Sequence, residues 1–99
     1  MPLVWAEVRK RYEGGTRIPT VAGGRTLEIT GVDDEAVYIR NPLWSDALRR
    51  EHLEKAVDLI EQGRLTRHPG LFAEEYRAHV ADARATSAAH VLKDFGFLE

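Results

Sequence analysis

Three residues near the end of this chain have the residue types of a hydrolytic triad: a serine nucleophile, a histidine base and an acidic orienting group. Ser87, His90 and Asp94 fall at positions i, i+3 and i+7 of one predicted helix. A triad needs side chains that converge from different elements beside oxyanion donors, whereas one regular helix projects its side chains in parallel. We therefore assign no catalytic residue, and a small enzyme ranks last among the functions considered.

Several histidines and carboxylates carry metal-ligand chemistry. They are His52, His68, His79 and His90, with Glu75 or Asp82 as possible oxygen donors. Only the step from His79 to Asp82 comes near a ligand spacing, and the chain has neither cysteine nor a His-Glu-x-x-His pattern. We expect no metal site and no cofactor.

Residues 23–26, Gly-Gly-Arg-Thr, begin with a glycine pair that superficially suggests phosphate binding by backbone N–H groups. The Lys-Ser/Thr ending of a Walker loop is missing, and the residues that follow have the pattern of a strand, where a phosphate site would need a helix N-terminus. These residues are interpreted as a hairpin turn.

Basic residues near the predicted helices suggest contacts with nucleic acid. The candidates are Arg49, Arg50, Arg64, Arg67, Arg84 and Lys93. If the last helices form a helix-turn-helix-like unit, the final one would offer Thr86, Ser87, His90 and Lys93 to bases while the arginines contact phosphates. The net charge of −2 and the acidic residues nearby limit any such affinity to a modest, local, electrostatic one.

The elements that must position these residues begin with an N-terminal helix. Val4, Val8 and Tyr12 recur at four-residue spacing, which predicts an amphipathic helix within residues 1–13, with a strand as the weaker alternative. Gly14-Gly15 ends either element.

A β-meander is predicted over residues 16–48. Runs at 16–21, 25–32 and 36–41 alternate apolar and polar residues, with Leu27 and Ile29 on one face. Pro19 lacks a backbone donor, so the first run should be an edge strand. Residues 43–48 form either a fourth short strand or a helix capped by Ser45, and we favour the strand.

Three helices are predicted over residues 49–96. The surest contains Leu53, Ala56, Val57 and Ile60 at i, i+3, i+4 and i+7, and Gly63 ends it. Two more helical patterns follow at 71–80 and about 84–95. The predicted fold class is α+β, with an N-terminal helix, a three- or four-stranded antiparallel meander and three helices in a single domain over 1–99.

Composition places the chain among globular proteins, with 43% apolar and 30% charged residues. No apolar run approaches the roughly 20 residues that span a bilayer, so we expect a cytoplasmic location and no membrane partner. At this length folding buries only roughly 60–65% of the chain's surface, which makes self-association a reasonable alternative.

The segments at 24–29, 37–40 and 53–56 resemble small sheet-plus-helices modules of uncharacterised bacterial and archaeal proteins, some of which look like appendages of restriction or other DNA-processing systems. The resemblance covers most of residues 24–96. It implies association with DNA more than catalysis, and it transfers no functional residue.

The sequence therefore predicts a small non-enzymatic binding module. Nucleic acid is the partner that the resemblance favours, and a homo-oligomeric protein-interaction module is the alternative. A continuous positive surface at Arg49, Arg50, Arg64 and Arg67 would support the first function. An apolar patch around an exposed Trp5 or Trp44 would support the second.

Overall fold

The computed structural model describes residues 2–99 and places four strands between one N-terminal and three C-terminal helices. The elements are α1 (Trp5–Tyr12), β1 (Thr16–Pro19), β2 (Thr26–Val32), β3 (Ala36–Asn41), β4 (Trp44–Arg49), α2 (Arg50–Glu61), α3 (Pro69–His79) and α4 (Ala85–Asp94). The predicted α+β class is confirmed. Residues 44–49 form a strand, so the meander has four strands.

The sheet is a simple antiparallel meander in the order β1-β2-β3-β4. Ile18 pairs with Leu27, Ile29 with Ile39, and Val37 with Leu48, so one face of the sheet carries the buried apolar side chains. β1 is an edge strand, as the position of Pro19 predicts. It ends there, earlier than predicted, because Pro19 has no N–H and the Thr20 N–H bonds the Arg25 carbonyl to close the hairpin.

A bulge in β2 was not predicted. The pairing register shifts between Ile29 and Gly31, so the irregularity lies within β2, next to Gly31. The turn is made by residues 33–35, where Asp33 Oδ1 accepts the backbone N–H groups of Glu35 and Ala36 at 2.8 and 3.0 Å. This side-chain cap closes the turn without a glycine.

Two of the positive-φ glycines, Gly15 and Gly63, have a clear structural role. Gly15 has φ +80°, and a β-carbon there would lie 2.8 Å from the Ile29 carbonyl oxygen, so the chain leaving α1 approaches β2 too closely for a side chain. Gly63 has φ +72°, the left-handed conformation that commonly ends a helix.

One apolar core lies between the buried sheet face and the helices. Its fully buried large side chains are Val8, Tyr12, Ile29, Val37, Ile39, Leu53, Val57, Phe72, Tyr76, Val91 and Leu92. They come from all four helices and from the two central strands. Within residues 2–99, no helix has the length and apolar character needed to cross a bilayer.

Asp94 joins the last helix to the first. Its carboxylate accepts a hydrogen bond from the Tyr12 hydroxyl at 2.7 Å and from Arg11 Nε at 2.9 Å. The rings of Tyr12 and Phe95 meet edge to face at 5.4 Å, which adds an apolar contact beside the polar one. Two segments more than eighty residues apart in sequence are thereby fixed to each other.

We predict that Val57→Asp prevents folding. Val57 is fully buried on α2, so the substitution places an unpaired carboxylate in the core at a cost above about 4 kcal/mol, most of the stability of a small domain. Urea denaturation followed by circular dichroism measures this. Lys55→Asp, on the exposed face of the same helix, is the matched control and should cost less than about 1 kcal/mol. A Val57→Asp protein that unfolds cooperatively at the wild-type midpoint contradicts the assigned core face.

We also predict that stability falls above about pH 10, where tyrosines of the unfolded chain ionise. Burial raises the pKa of Tyr76 to about 12, and burial with the bond to Asp94 raises the pKa of Tyr12. The unfolded state therefore loses protons first, and the free energy of unfolding declines by up to about 1.4 kcal/mol per pH unit for each tyrosine. Urea titrations at several alkaline pH values should show a shallower decline in Tyr76→Phe. An identical slope in that variant would rule out a contribution from Tyr76.

Candidate functional site

The three residues with triad spacing lie on α4 but face different neighbours. Ser87 is buried, with 7% of its surface exposed. His90 Nδ1 accepts a hydrogen bond from the Val21 backbone N–H at 3.0 Å, while Asp94 bonds to α1. No hydrogen bond joins any two of the three in the part of the chain that the structure describes. They form no nucleophile, base and orienter set.

The four histidines lie on different parts of the fold. His52 is on α2, His79 ends α3 and His90 is on α4. His68 precedes α3 and caps it, since its Nδ1 accepts the Gly70 N–H at 3.1 Å. Among residues 2–99, no three histidine or acidic side chains are grouped so as to hold a metal ion.

Four of the basic residues predicted from sequence flank the two ends of α2. Arg49 and Arg50 lie at the start of α2, whereas Arg64 and Arg67 follow its end, about 18 Å away along twelve residues. Arg49 Nε lies 2.9 Å from Glu51, and Arg50 Nε lies 3.2 Å from Glu54. The start of α2 thus carries as many carboxylates as guanidinium groups. Arg50 also stacks over the buried Trp5 ring at 5.3 Å.

Arg84 is held beside the first turn of α4 by two contacts. Its guanidinium stacks on the half-buried Trp44 ring at 3.7 Å, and its Nε donates to Asp46 Oδ2 at 2.7 Å. This bond, with one from the Ala47 N–H, lowers the pKa of the Asp46 carboxyl. Arg84 has φ +57°, a left-handed conformation that costs an arginine about 1–2 kcal/mol, which these contacts offset.

The helix-turn-helix-like expectation for α4 stays a prediction, and the structure limits which residues α4 can present. A recognition helix needs a protruding face, but α4 is buried at Ala85, Ser87, Ala88, Ala89, Val91 and Leu92. Of the four proposed base-reading residues, Ser87 is inside and His90 is bonded to Val21. Lys93 is exposed, yet its Nζ donates to the Val21 carbonyl at 3.2 Å. The β1–β2 connection therefore lies against the face that was expected to enter a DNA groove.

A cleft that the sequence did not predict lies at the start of α4. It has a volume of about 570 Å³. Its walls come from the β1–β2 hairpin, the β3–β4 turn, α3 and the first residues of α4. The lining residues are Thr20, Arg25, Thr26, Leu27, Asn41, Pro42, Trp44, Arg77, Asp82, Arg84, Ala85, Thr86, Ser87 and His90. We refer to this region as the arginine cleft.

Basic residues outnumber acidic ones among the described residues that line the arginine cleft. Arg25, Arg77 and Arg84 line it, and Asp82 is the acidic residue among the lining residues that the structure describes. Arg84 is paired with Asp46, but the side chains of Arg25 and Arg77 have no ion pair or hydrogen bond within residues 2–99. Because His90 accepts through Nδ1, its neutral ring carries the proton on Nε2 and is a further donor. Such a lining suits an anion.

Arg25 and Arg77 were missed because they are distant in sequence and belong to different kinds of element. Arg25 follows the glycine pair that was interpreted only as a hairpin turn, and Arg77 lies in the last turn of α3. Folding brings both to the walls that also hold Arg84. The glycine pair could have pointed to Arg25, since it predicts a hairpin tip, and the side chains at a hairpin tip extend beyond the sheet.

No known protein family, curated protein or solved structure matches this chain. The resemblance to small modules of DNA-processing systems therefore stays a prediction.

We predict that acid weakens the hydrogen bond between His90 and the β1–β2 connection. Burial lowers the pKa of His90, so the unfolded chain takes up a proton near pH 6.5 before the folded chain does, and stability falls as pH drops below that value. Protonated Nδ1 can no longer accept the Val21 N–H. Amide exchange should show reduced protection of Val21 at about pH 5 compared with pH 7.5.

His90→Ala should lower Val21 protection at both pH values, while His79→Ala, an exposed histidine on α3, should leave it unchanged. Equal Val21 protection in wild type and His90→Ala at neutral pH would show that the bond contributes nothing.

Proposed function

We propose that this protein is a non-enzymatic module that binds single-stranded nucleic acid through the arginine cleft. The observation that carries the proposal is the arrangement of Arg25, Arg77 and Arg84, which come from three separate segments and line one concave site. Two of them have no carboxylate partner within residues 2–99, so their charge is available to phosphates.

The shape of the surface favours a flexible strand over a duplex. Reading a duplex requires a helix or ribbon that enters the major groove, and α4 is mostly buried. A single strand can bend into a cleft, where a basic wall follows its phosphates and an aromatic or guanidinium plane stacks on a base. The Arg84 guanidinium on Trp44 provides such a plane at the cleft wall.

The charge balance implies a weak, salt-sensitive affinity. The protein is acidic overall, with a net charge of −2, so its overall charge does not attract phosphates. Arg9, Arg11 and Arg40 are each bonded to a carboxylate. Arg64 also lacks an ion pair within residues 2–99, so the cleft is distinguished by bringing two unpaired arginines, Arg25 and Arg77, to one concave site.

The alternative of a homo-oligomeric interaction module gains less support. Trp5 is only 4% exposed, and Trp44 is half-buried under Arg84. The exposed large apolar residues Val4, Tyr38, Leu43 and Leu71 lie on four different segments. Trp5 in particular is not available for the exposed apolar patch that a dimer would bury.

Fluorescence anisotropy with an oligothymidylate of about 12 nucleotides tests the proposal, because this length covers a typical single-strand site. Both ends of the strand are free of terminal phosphate. We expect binding at about 50 mM salt that weakens steeply at about 200 mM. A duplex of equal length should bind more weakly.

Arg25→Ala with Arg77→Ala should reduce the salt slope by about 1.4, since each lost phosphate contact removes about 0.7 on a single strand. The matched control is Arg17→Ala with Arg40→Ala, two arginines beside Glu28 on the outer sheet face. The pair Arg64→Ala and Arg67→Ala tests the location expected from sequence.

An unchanged slope in the Arg25/Arg77 variant, with a loss in the Arg64/Arg67 variant, would move the site to the α2–α3 connection. Absence of binding at about 50 mM salt, together with a stable dimer in sedimentation, would replace the proposal with the interaction module.

A further inference from the structure

The first turn of α4 opens into the arginine cleft without a cap. No side chain bonds to its backbone N–H groups, and the preceding residue, Arg84, supplies none. The N–H groups of Ala85, Thr86 and Ser87 precede the first intrahelical bond, which Ala88 makes to the Arg84 carbonyl at 2.9 Å. All three residues line the cleft. These donors have the partial positive charge that attracts anions to helix starts.

A largely buried serine whose hydroxyl makes no hydrogen bond within residues 2–99 supplies a second and independent indication of a ligand. Ser87 is 93% buried, since 7% of its surface is exposed, and that surface lines the cleft. Its hydroxyl has no hydrogen bond among the residues that the structure describes. Among residues 2–99, no fully enclosed side-chain N or O atom lacks a hydrogen-bond partner, so the Ser87 hydroxyl oxygen, which has none, retains accessible surface. A bound oxygen atom in the cleft can therefore accept a hydrogen bond from it.

We infer that the start of α4, with Ser87 and the free guanidinium groups of Arg25 and Arg77, binds a phosphate monoester at the end of a nucleic-acid strand. We call this binding site the phosphate seat. The inference deepens the proposed function and rests on it. A terminal phosphate differs from a phosphodiester in having three acceptor oxygens and a charge of about −1.5 to −2. The site offers three backbone donors, one hydroxyl and two unpaired arginines, which suit the larger charge and the additional acceptor oxygen of a terminal phosphate.

The site also limits how the rest of the ligand lies. Trp44 and Arg84 form one wall beside the helix start, so a nucleotide attached to the seated phosphate can place its base against the Arg84 plane. Asp82 is exposed at the cleft and disfavours a second phosphate close by. These two features suit a strand end better than the middle of a strand.

Anisotropy at about 200 mM salt compares oligothymidylates of about 12 nucleotides that carry a 5′-phosphate, a 3′-phosphate or two hydroxyl ends. A hydroxyl-ended strand two nucleotides longer has a similar total charge to the phosphorylated strands and controls for simple electrostatics. We expect at least one phosphorylated end to bind about tenfold tighter than this longer strand, the gain that hydrogen bonds to a charged group provide.

Ser87→Ala should reduce that preference to below about threefold, because it removes one donor to the charged oxygens. Alanine is a good helix former, and no hydrogen bond of Ser87 within the described chain is lost, so the thermal midpoint should stay close to wild type. Ser45→Ala, an exposed serine on β4, is the matched control and should keep the full preference. The preference ratio is the informative quantity, since a merely structural effect would weaken all strands alike.

The outcomes separate this inference from the proposed function. If the hydroxyl-ended strands bind and neither phosphorylated end gains affinity over them, the seat is wrong and the single-strand proposal stands. A second outcome is that no strand binds, whereas thymidine 5′-monophosphate binds to the wild type and loses affinity in Ser87→Ala. The phosphate site is then correctly located but its ligand is a free nucleotide, and the single-strand proposal fails. If neither strands nor the monophosphate bind, both fail. Retention of the preference in Ser87→Ala overturns the assigned location.

Discussion

The apolar face of a four-stranded sheet needs a cover, and this requirement organises the whole molecule. The sheet buries Ile29, Val37 and Ile39 on one side only. Residues before and after it in sequence supply the cover, since α1 and the three C-terminal helices contribute to the same core. Because the hydrophobic effect depends on area and not on direction, the polar bonds of Asp94 to Arg11 and Tyr12 are what fix where the first and last helices meet.

The arginine cleft is a consequence of that arrangement. α4 lies against β1, and its small residues Ala85, Ala88 and Ala89 allow close packing in the core. The hairpin tip, the β3–β4 turn and the end of α3 therefore meet around its first turn. Loop ends on a rigid core commonly carry binding groups, because their side chains extend beyond the packed layers.

Ion pairing decides which arginines remain available to a partner. Arg9, Arg40, Arg49 and Arg50 each have a carboxylate nearby, and such exposed pairs contribute at most about 1 kcal/mol to stability. They nevertheless cancel local charge, which matters more for attracting a phosphate than for folding. The cleft is basic for two reasons: its own arginines lie close together, and the arginines elsewhere that are named above are neutralised by carboxylates.

The sequence by itself determined the α+β class, the one-faced sheet, the edge position of β1 and the core face of α2, because these follow from local periodicity and from proline's missing donor. Only the tertiary structure decided which side chains meet. The bulge at Gly31, the buried state of Ser87 and the gathering of Arg25, Arg77 and Arg84 depend on contacts between residues far apart in the chain. Periodicity gives the direction of a side chain from its own element, whereas a site depends on how separate elements pack.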